Sequence, residues 1–278
     1  MIDKKYTNQF PKKYYKEIVF VFVFFLTYLP TFMWMWDRWF SNDSYYSHGI
    51  LVPFVSGFLI WQMRDDLKQL KPKSSVWGVW LIVLGVLIHM VSSLFRIYFT
   101  SGFSILIVLA GAILHFGGEE LFKRAAFPAA FLFFMIPLPH VVVANISFKL
   151  RLLAAHIATI SLNSLRIPAL QEGTIINMRN ACVIVDDVCS GLRSLIALAA
   201  LGSIFTFWMK GKLAKRLLLF LSTVPIAMIT SATRVTFLAA VSEIWGTRYA
   251  TGIVHDVSGF LFFGLAFVLF FIVKNLIE

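Results

Sequence analysis

Residues 76–95, VWGVWLIVLGVLIHMVSSLF, decide the fold class of this chain. The stretch contains no Asp, Glu, Lys or Arg, and its apolar residues follow one another without the alternation of a half-buried strand. A membrane-spanning helix needs about 20 such residues. In the hydrocarbon core, backbone polar groups must bond within the segment, which a helix achieves. The stretch therefore predicts a transmembrane helix.

The rest of the chain has the same character. Of its 278 residues, 59% are hydrophobic and 14% are charged, whereas soluble domains average roughly 45–50% apolar and about 25% charged residues. The continuous runs argue against a transmembrane barrel, whose strands alternate. We predict an all-α polytopic membrane protein, with a single integral membrane domain over residues 1–278 and no separate soluble domain. About eight runs are predicted to span the bilayer: 17–36, 49–63, 76–95, 98–116, 125–139, 189–209, 217–237 and 253–273.

The basic residues predict the orientation of these spans. The net charge is +11, and we assign it to loops on one membrane face, with the lipid bilayer as the partner and no nucleic acid. With the N-terminus inside, the predicted inner face carries sixteen of the 25 Lys and Arg residues. By the positive-inside rule, both termini are therefore predicted to be cytoplasmic.

The long gap between the fifth and sixth runs is the main irregularity. Residues 140–165 mix apolar residues with Lys149, Arg151 and His156, which favours a helix lying in the membrane interface. Residues 166–188 are typical of two short strands around a turn. We therefore expect a small β-hairpin on the outer face, before the sixth span.

Three chemically complementary side chains fall at the same outer level in this topology. Cys189 begins the sixth span, Arg234 lies near the outer end of the seventh, and His255 begins the eighth. Polar groups beside a span are costly unless they are paired or functional. A thiolate is a nucleophile, histidine moves protons near neutral pH, and arginine can stabilise an oxyanion. Together they predict acyl transfer through a thioester.

Other residues could line the same site. Arg193 lies four residues after Cys189 and is therefore expected on the same helix face. Asp186 and Asp187 would disfavour the Cys189 thiolate if they faced it, or would instead cap the helix or contact Arg193. The candidate lining residues are His48, Asp186, Asp187, Ser190 and Arg193.

Simpler interpretations stay open at this point. Cys189 could pack as a small apolar residue or pair with Cys182, Arg234 could snorkel to the interface, and His255 could be an ordinary interfacial residue. A non-catalytic component of a polysaccharide or protein export system would tolerate the loss of Cys189. A transporter would need polar residues at the midplane, where His89 is the main candidate. No metal-ligand spacing appears, and we expect no cofactor.

Short segments between about residues 40 and 265 carry a family resemblance. They are SYYSHGILVPF before the second span, FLFFMIPLP closing the fifth, EGTIINM in the hairpin, CSGLRSL at the sixth, RV in the seventh and HDVSG opening the eighth. In these segments the chain resembles the exosortase/archaeosortase family of integral membrane, transpeptidase-like cysteine enzymes. The resemblance implies an outward-facing catalytic set of Cys189, Arg234 and His255.

The resemblance also implies the substrates and the location. The substrates would be secreted proteins that end in a sorting tail, made of a short motif often of PEP type, an apolar helix and a basic end. Cleavage would occur at the periplasmic face of the bacterial inner membrane. The thioester would then pass to water or to an acceptor that the sequence does not identify.

Overall fold

The computed structural model describes residues 15–41, 44–70, 73–186, 191–250 and 252–277. These residues pack as two compact units, divided between Pro137 and Leu138, and the second unit contains a three-stranded sheet. The prediction of an all-α polytopic membrane protein with a small sheet is confirmed. Among the described residues, six helices are long and apolar enough to cross a membrane: Tyr15–Trp39, Val76–Leu94, Tyr98–Met135, His140–Ser164, Leu213–Trp245 and Ile253–Ile277.

The first unit is built from apolar helices and two short 3-10 turns. The turns cover Ser47–Ile50 and Leu132–Met135. The helices are α1 (Tyr15–Trp39), α2 (Leu51–Gln62), α3 (Arg64–Lys68), α4 (Val76–Leu94) and α5 (Tyr98–Phe131).

Helix α5 doubles back on itself at Gly118, whose backbone has φ 80° and ψ −175°. The rings of Phe103 and Phe133, on opposite sides of the kink, lie 5.5 Å apart. A side chain on Gly118 would meet the backbone carbonyl oxygen of Lys73, so the close approach and the positive φ both require glycine. The two antiparallel arms correspond to the two separate spans predicted at 98–116 and 125–139.

Hydroxyl groups and one histidine join α1, α4 and the first arm of α5. The Tyr28 hydroxyl bonds Ser104 Oγ at 2.8 Å, and Thr31 Oγ1 bonds Ser101 Oγ at 2.6 Å. His89 Nδ1 lies 2.8 Å from the same Ser101 oxygen, and all five side chains are buried. Such bonds between helices contribute about 0.6–2 kcal/mol each in a membrane. His89 therefore serves helix packing, and it offers no support for a transport path.

The second unit is organised around one long helix. Its helices are α6 (His140–Ser164), α7 (Leu192–Trp208), α8 (Leu213–Trp245), α9 (Thr247–Ala250) and α10 (Ile253–Ile277). Its antiparallel strands are β1 (Ala169–Glu172), β2 (Ile175–Met178) and β3 (Cys182–Ile184), in the order β1-β2-β3. Helix α8 contacts α6, α7 and α10 and so holds the unit together.

Two apolar clusters lie along α8. Towards its start, Leu219 and Ala227 pack with Leu198 of α7 and Phe270 of α10. Towards its end, Leu238 and Ala239 pack with α6 and with the inner face of the sheet, including Ile176 and Val185. The second cluster explains why α8 continues to Trp245, whereas the predicted span ended at residue 237.

Three of the predicted segments need correction. Residues 49–63 contain only the twelve-residue helix α2, about 18 Å long, which is short for a bilayer. The predicted span 189–209 is the 17-residue α7, which begins at Leu192. Residues 140–165 were expected in the interface, yet α6 is one continuous 25-residue helix apolar enough to cross, because Lys149 and Arg151 are its only charged residues.

The predicted two-stranded hairpin is part of a three-stranded sheet, whose first strand, β1, was not predicted. This strand has four residues, in which exposed Leu170 and Glu172 alternate with the less exposed Ala169 and Gln171. So short a segment, without β-branched or aromatic residues, carries almost no strand signal. It is held by its pairing to β2 and by Asn163 of α6, whose side-chain amide bonds both the N–H and the C=O of Ala169 at 3.0 Å.

Candidate active site

Arg234 of α8 reaches across to the first turns of α10. Its Nε donates to Ser258 Oγ at 3.1 Å, and its Nη2 donates to the backbone carbonyl of His255 at 3.0 Å. Ser258 Oγ, which is 2% exposed, donates to that same carbonyl at 2.7 Å. The planar guanidinium is thus fixed by two acceptors that are themselves joined, so its position is defined.

The His255 ring lies beside the Arg234 guanidinium. Nη2 of Arg234 is 3.4 Å from Nε2 of His255. A guanidinium can only donate, so Nε2 accepts and the neutral ring carries its proton on Nδ1. Nδ1 lies 3.5 Å from Oδ1 of Asp256, and the His255 side chain is 30% exposed. In this tautomer the Nε2 lone pair points to the Arg234 guanidinium, so this contact must open before Nε2 can take a proton as a general base.

Two neighbours of His255 were not identified from the sequence. Ser258 and Gly259 lie three and four residues after His255, which places them on one helix face with it. A Cβ on Gly259 would be 3.4 Å from Nη2 of Arg234, an ordinary van der Waals distance, so Gly259 lies directly against the guanidinium. The i, i+3, i+4 spacing in HDVSG was the available signal.

The start of α7 lies one turn away from Arg234 along α8. Gly191 is the N-cap of α7, with φ 75°, and a Cβ there would lie 2.8 Å from Cβ of Ser231. Ser231 precedes Arg234 by three residues and so shares its face of α8. Gly191 therefore brings the N-terminus of α7 to the neighbourhood of the Arg234–His255 pair.

The start of α7 differs from the predicted start of the sixth span. Its N-cap is Gly191, which has no side chain, and Asp186 is exposed two residues after β3. Since the positive φ of Gly191 starts the helix there, Arg193 is not on a helix shared with Cys189. Nε of Arg193 is buried and has no hydrogen-bond partner among the residues that the structure describes.

Other predicted site residues fall outside the described residues or in the first unit. Asp187, Cys189 and Ser190 are outside the described residues. Cys182 is an exposed free thiol on β3. His48 belongs to the first unit, where burial lowers its pKa and its Nε2 has no hydrogen-bond partner within the described ranges. No group of three or more His, Cys, Asp or Glu side chains in the described part of the chain is placed to hold a metal ion.

Replacing Arg234 with alanine is expected to slow catalysis at this site by about 10²–10³-fold, the usual effect of losing one oxyanion-stabilising donor. Lysine should restore only part of the rate, because it cannot bond Ser258 Oγ and the His255 carbonyl together with a planar fork. The measurement is the initial rate of cleavage of a tailed substrate, with wild type and variants at matched expression. Arg179→Ala, at the exposed turn between β2 and β3, is the control; equal rates for Arg234→Ala and this control would refute the role.

Replacing Gly191 with alanine is expected to disturb the site more than the same change at Gly173. Both glycines have positive φ, 75° and 62°, but only Gly191 faces a close neighbour, whereas Gly173 has open space. Both variants incur about 1–2 kcal/mol of backbone strain, and Gly191→Ala adds the clash with Ser231. Thermal unfolding in detergent and the catalytic rate measure this difference. Equal losses in the two variants would show that the contact with Ser231 is unimportant.

A comparison with known protein families identifies the family of the chain. Residues 34–272 match the family model of the transmembrane exosortases. No curated protein and no solved structure matches the chain. The family match includes α7, α8 and the first turns of α10, which carry the site described above.

Proposed function

Because the chain belongs to the transmembrane exosortase family, we propose that it is a membrane cysteine endopeptidase or transpeptidase that removes the C-terminal sorting tail of secreted proteins. The Sγ of Cys189 attacks the carbonyl carbon of the scissile peptide bond. The thiol proton passes to His255 and then to the amine of the departing tail. The C–N bond breaks and a thioester remains, which water or an acceptor amine resolves.

The contact of Arg234 with His255 and Ser258, next to the start of α7, carries this proposal. Cys189 is two residues before Gly191 in the chain, so its Cα is within about 7 Å of the Gly191 Cα. Gly191 in turn lies against Ser231, one helical turn from Arg234. A cation, a proton-accepting imidazole and a thiol are the three groups that this thioester chemistry requires.

Each residue of the set has one role. His255 is the general acid and base, acting through Nε2 once the 3.4 Å contact of that atom with Arg234 opens. Arg234 stabilises the oxyanion or a substrate carboxylate, and its two bonds hold it in place before the charge develops. Ser258 is a positioning residue, because it touches Arg234 and the His255 carbonyl.

The site is proposed to face the periplasm, with the protein in the bacterial inner membrane and both termini in the cytoplasm. In the second unit, α7 and α8 run antiparallel and are joined near Met209 and Leu219, far along α8 from Arg234. Lys210, Lys212, Lys215 and Arg216 all lie at that junction. A basic cluster favours the cytoplasmic face, which leaves the site end outside.

Alkaline phosphatase fusions test this orientation. A fusion after Gly173 should be active and a fusion after Lys210 inactive, because the enzyme needs the periplasm to fold and the Lys/Arg cluster stays inside. A third fusion, after Pro139, reports whether α6 also crosses. Activity at Lys210 would contradict the proposed orientation of the site.

Co-expression with a tailed reporter tests the function itself. The reporter is a secreted soluble domain followed by a Pro-Glu-Pro segment, about 20 apolar residues to span the bilayer and a basic end. Mass spectrometry of the recovered reporter should show a new C-terminus before the apolar segment only when the protein is present. A reporter with a scrambled motif is the control, and a full-length reporter in all samples would refute the proposal.

A further inference from the structure

The two outer edges of the sheet differ in how they are covered. In the β2–β3 ladder, Met178 N–H donates to the Ala181 carbonyl and Val185 N–H donates to the Thr174 carbonyl. Hydrogen-bonded pairs alternate along an antiparallel ladder, so Ile176 and Val183 form the next such pair. The N–H and C=O groups of Cys182 and Ile184 consequently point away from β2, towards the free edge of β3.

The edge of β1 is capped, whereas that of β3 is open. Asn163 bonds both backbone groups of Ala169 on the β1 side. Cys182 and Ile184 have no such bond to any residue that the structure describes. Both are exposed, and Ile184 is 58% exposed. An uncovered strand edge is a template for pairing with another extended chain.

The open strand is rigidly attached to the Arg234–His255 region. Val185, directly after β3, is 1% exposed and belongs to one core cluster with Val235, the residue next to Arg234. Val254, the residue next to His255, packs against the same cluster. The strand is also continuous with the nucleophile segment, since Ile184 precedes Cys189 by five residues.

We propose that the open edge of β3 binds the substrate as an added β-strand, an inference that rests on the proposed function. The occupant is the extended segment immediately upstream of the scissile bond. It runs parallel to β3, because its C-terminal end must arrive at Cys189 while the following apolar helix stays in the bilayer. The N–H and C=O groups of Cys182 and Ile184 bond its backbone, and its alternate side chains face Cys182 and Ile184.

Cysteine cross-linking to Cys182 tests this docking directly. The chain has two cysteines, so Cys189→Ala leaves Cys182 as the single thiol and also prevents cleavage. Tailed reporters with one cysteine at each of ten successive positions before the apolar segment are oxidised with copper phenanthroline. The proposal expects disulfides at alternate positions, because residues i and i+2 share a face of a strand. No adduct, or equal adducts at every position, would overturn it.

A proline variant tests the backbone N–H of the open edge separately from the side chain. Ile184→Pro removes the outward N–H without removing a bond of the β2–β3 ladder, so cross-linking and processing should fall about tenfold, as expected for a lost bond plus a steric misfit. Ile184→Thr keeps the N–H and should lose less of both than Ile184→Pro does. In Ile184→Pro, Cys189 should react with iodoacetamide at the wild-type rate, which would show that the site is intact. Unchanged cross-linking in Ile184→Pro would overturn the docking proposal.

The two proposals fail in distinguishable ways. Cleavage of the reporter by Cys189→Ala at the wild-type rate would refute the thioester function, whatever the cross-linking pattern. Absence of the alternating pattern, with cleavage still dependent on Cys189, would refute strand addition alone.

Discussion

Replacing Cys189 with alanine is expected to abolish tail cleavage, with a loss on the order of 10⁴–10⁶-fold, as for other nucleophiles that act together with a base. No other group in the proposed set can form the covalent intermediate. Serine should be nearly as inactive, because its hydroxyl ionises far less readily than a thiol. The measurement is the processed fraction of the tailed reporter on an immunoblot at matched expression.

The second cysteine of the chain provides the matched control. Cys182 is exposed on β3, so Cys182→Ala should leave the chemical step intact, whereas a structural disulfide would make the two cysteines equally important. Wild-type cleavage by Cys189→Ala would end the enzyme hypothesis for this site. Equal inactivity of both alanine variants would point to a disulfide instead of a nucleophile.

Replacing His255 with alanine is expected to slow thioester formation by about 10²–10⁴-fold, the usual contribution of general acid–base catalysis. The deficit should shrink as the pH rises, because a cysteine without a base ionises unaided only near pH 8.5. Initial cleavage rates between pH 6 and pH 9 measure both effects. The backbone carbonyl that accepts from Arg234 remains in this variant, so the Arg234 position is retained.

His156 is the matched control for this substitution. It lies in the same unit, on α6, and its Nδ1 is 3.2 Å from Oε1 of Gln171, so His156→Ala alters only the support of β1. We expect its rate to stay within about twofold of wild type, as for a change away from reacting groups. A pH-independent deficit in His255→Ala would mean that this histidine is structural and is not the base.

The long helices were predictable because crossing lipid depends mainly on length and composition. The run 76–95 became α4 almost residue for residue, and the reversal between 116 and 125 coincides with the kink at Gly118. Helix α2 is three residues shorter than the predicted run 49–63, because Gly49 and Ile50 belong to the preceding 3-10 turn and the helix ends at Gln62. Helix α6 was wrongly predicted to lie in the interface because Lys149 and Arg151 place two charges in one turn. Its other 23 residues include no Asp, Glu, Lys or Arg.

The site was only partly predictable from the sequence. Contact between Arg234 and His255 follows from antiparallel neighbouring spans, which bring the end of one near the start of the next. The roles of Ser258 and Gly259 depend on the rotation of α10 about its axis. That helix is apolar on all sides, so its pattern does not specify which face meets α8. The positive φ of Gly191 likewise arises from its packing on Ser231.

Trapping the covalent intermediate tests the central claim most directly. Wild-type protein is mixed with the tailed reporter, quenched in acid and separated without reducing agent, and the adduct is digested for mass spectrometry. We predict the upstream part of the reporter joined through its new C-terminal carbonyl to Cys189, in a bond that neutral hydroxylamine cleaves. Cleavage of the reporter with no hydroxylamine-sensitive adduct at Cys189, at any time in the reaction, would contradict the thioester mechanism.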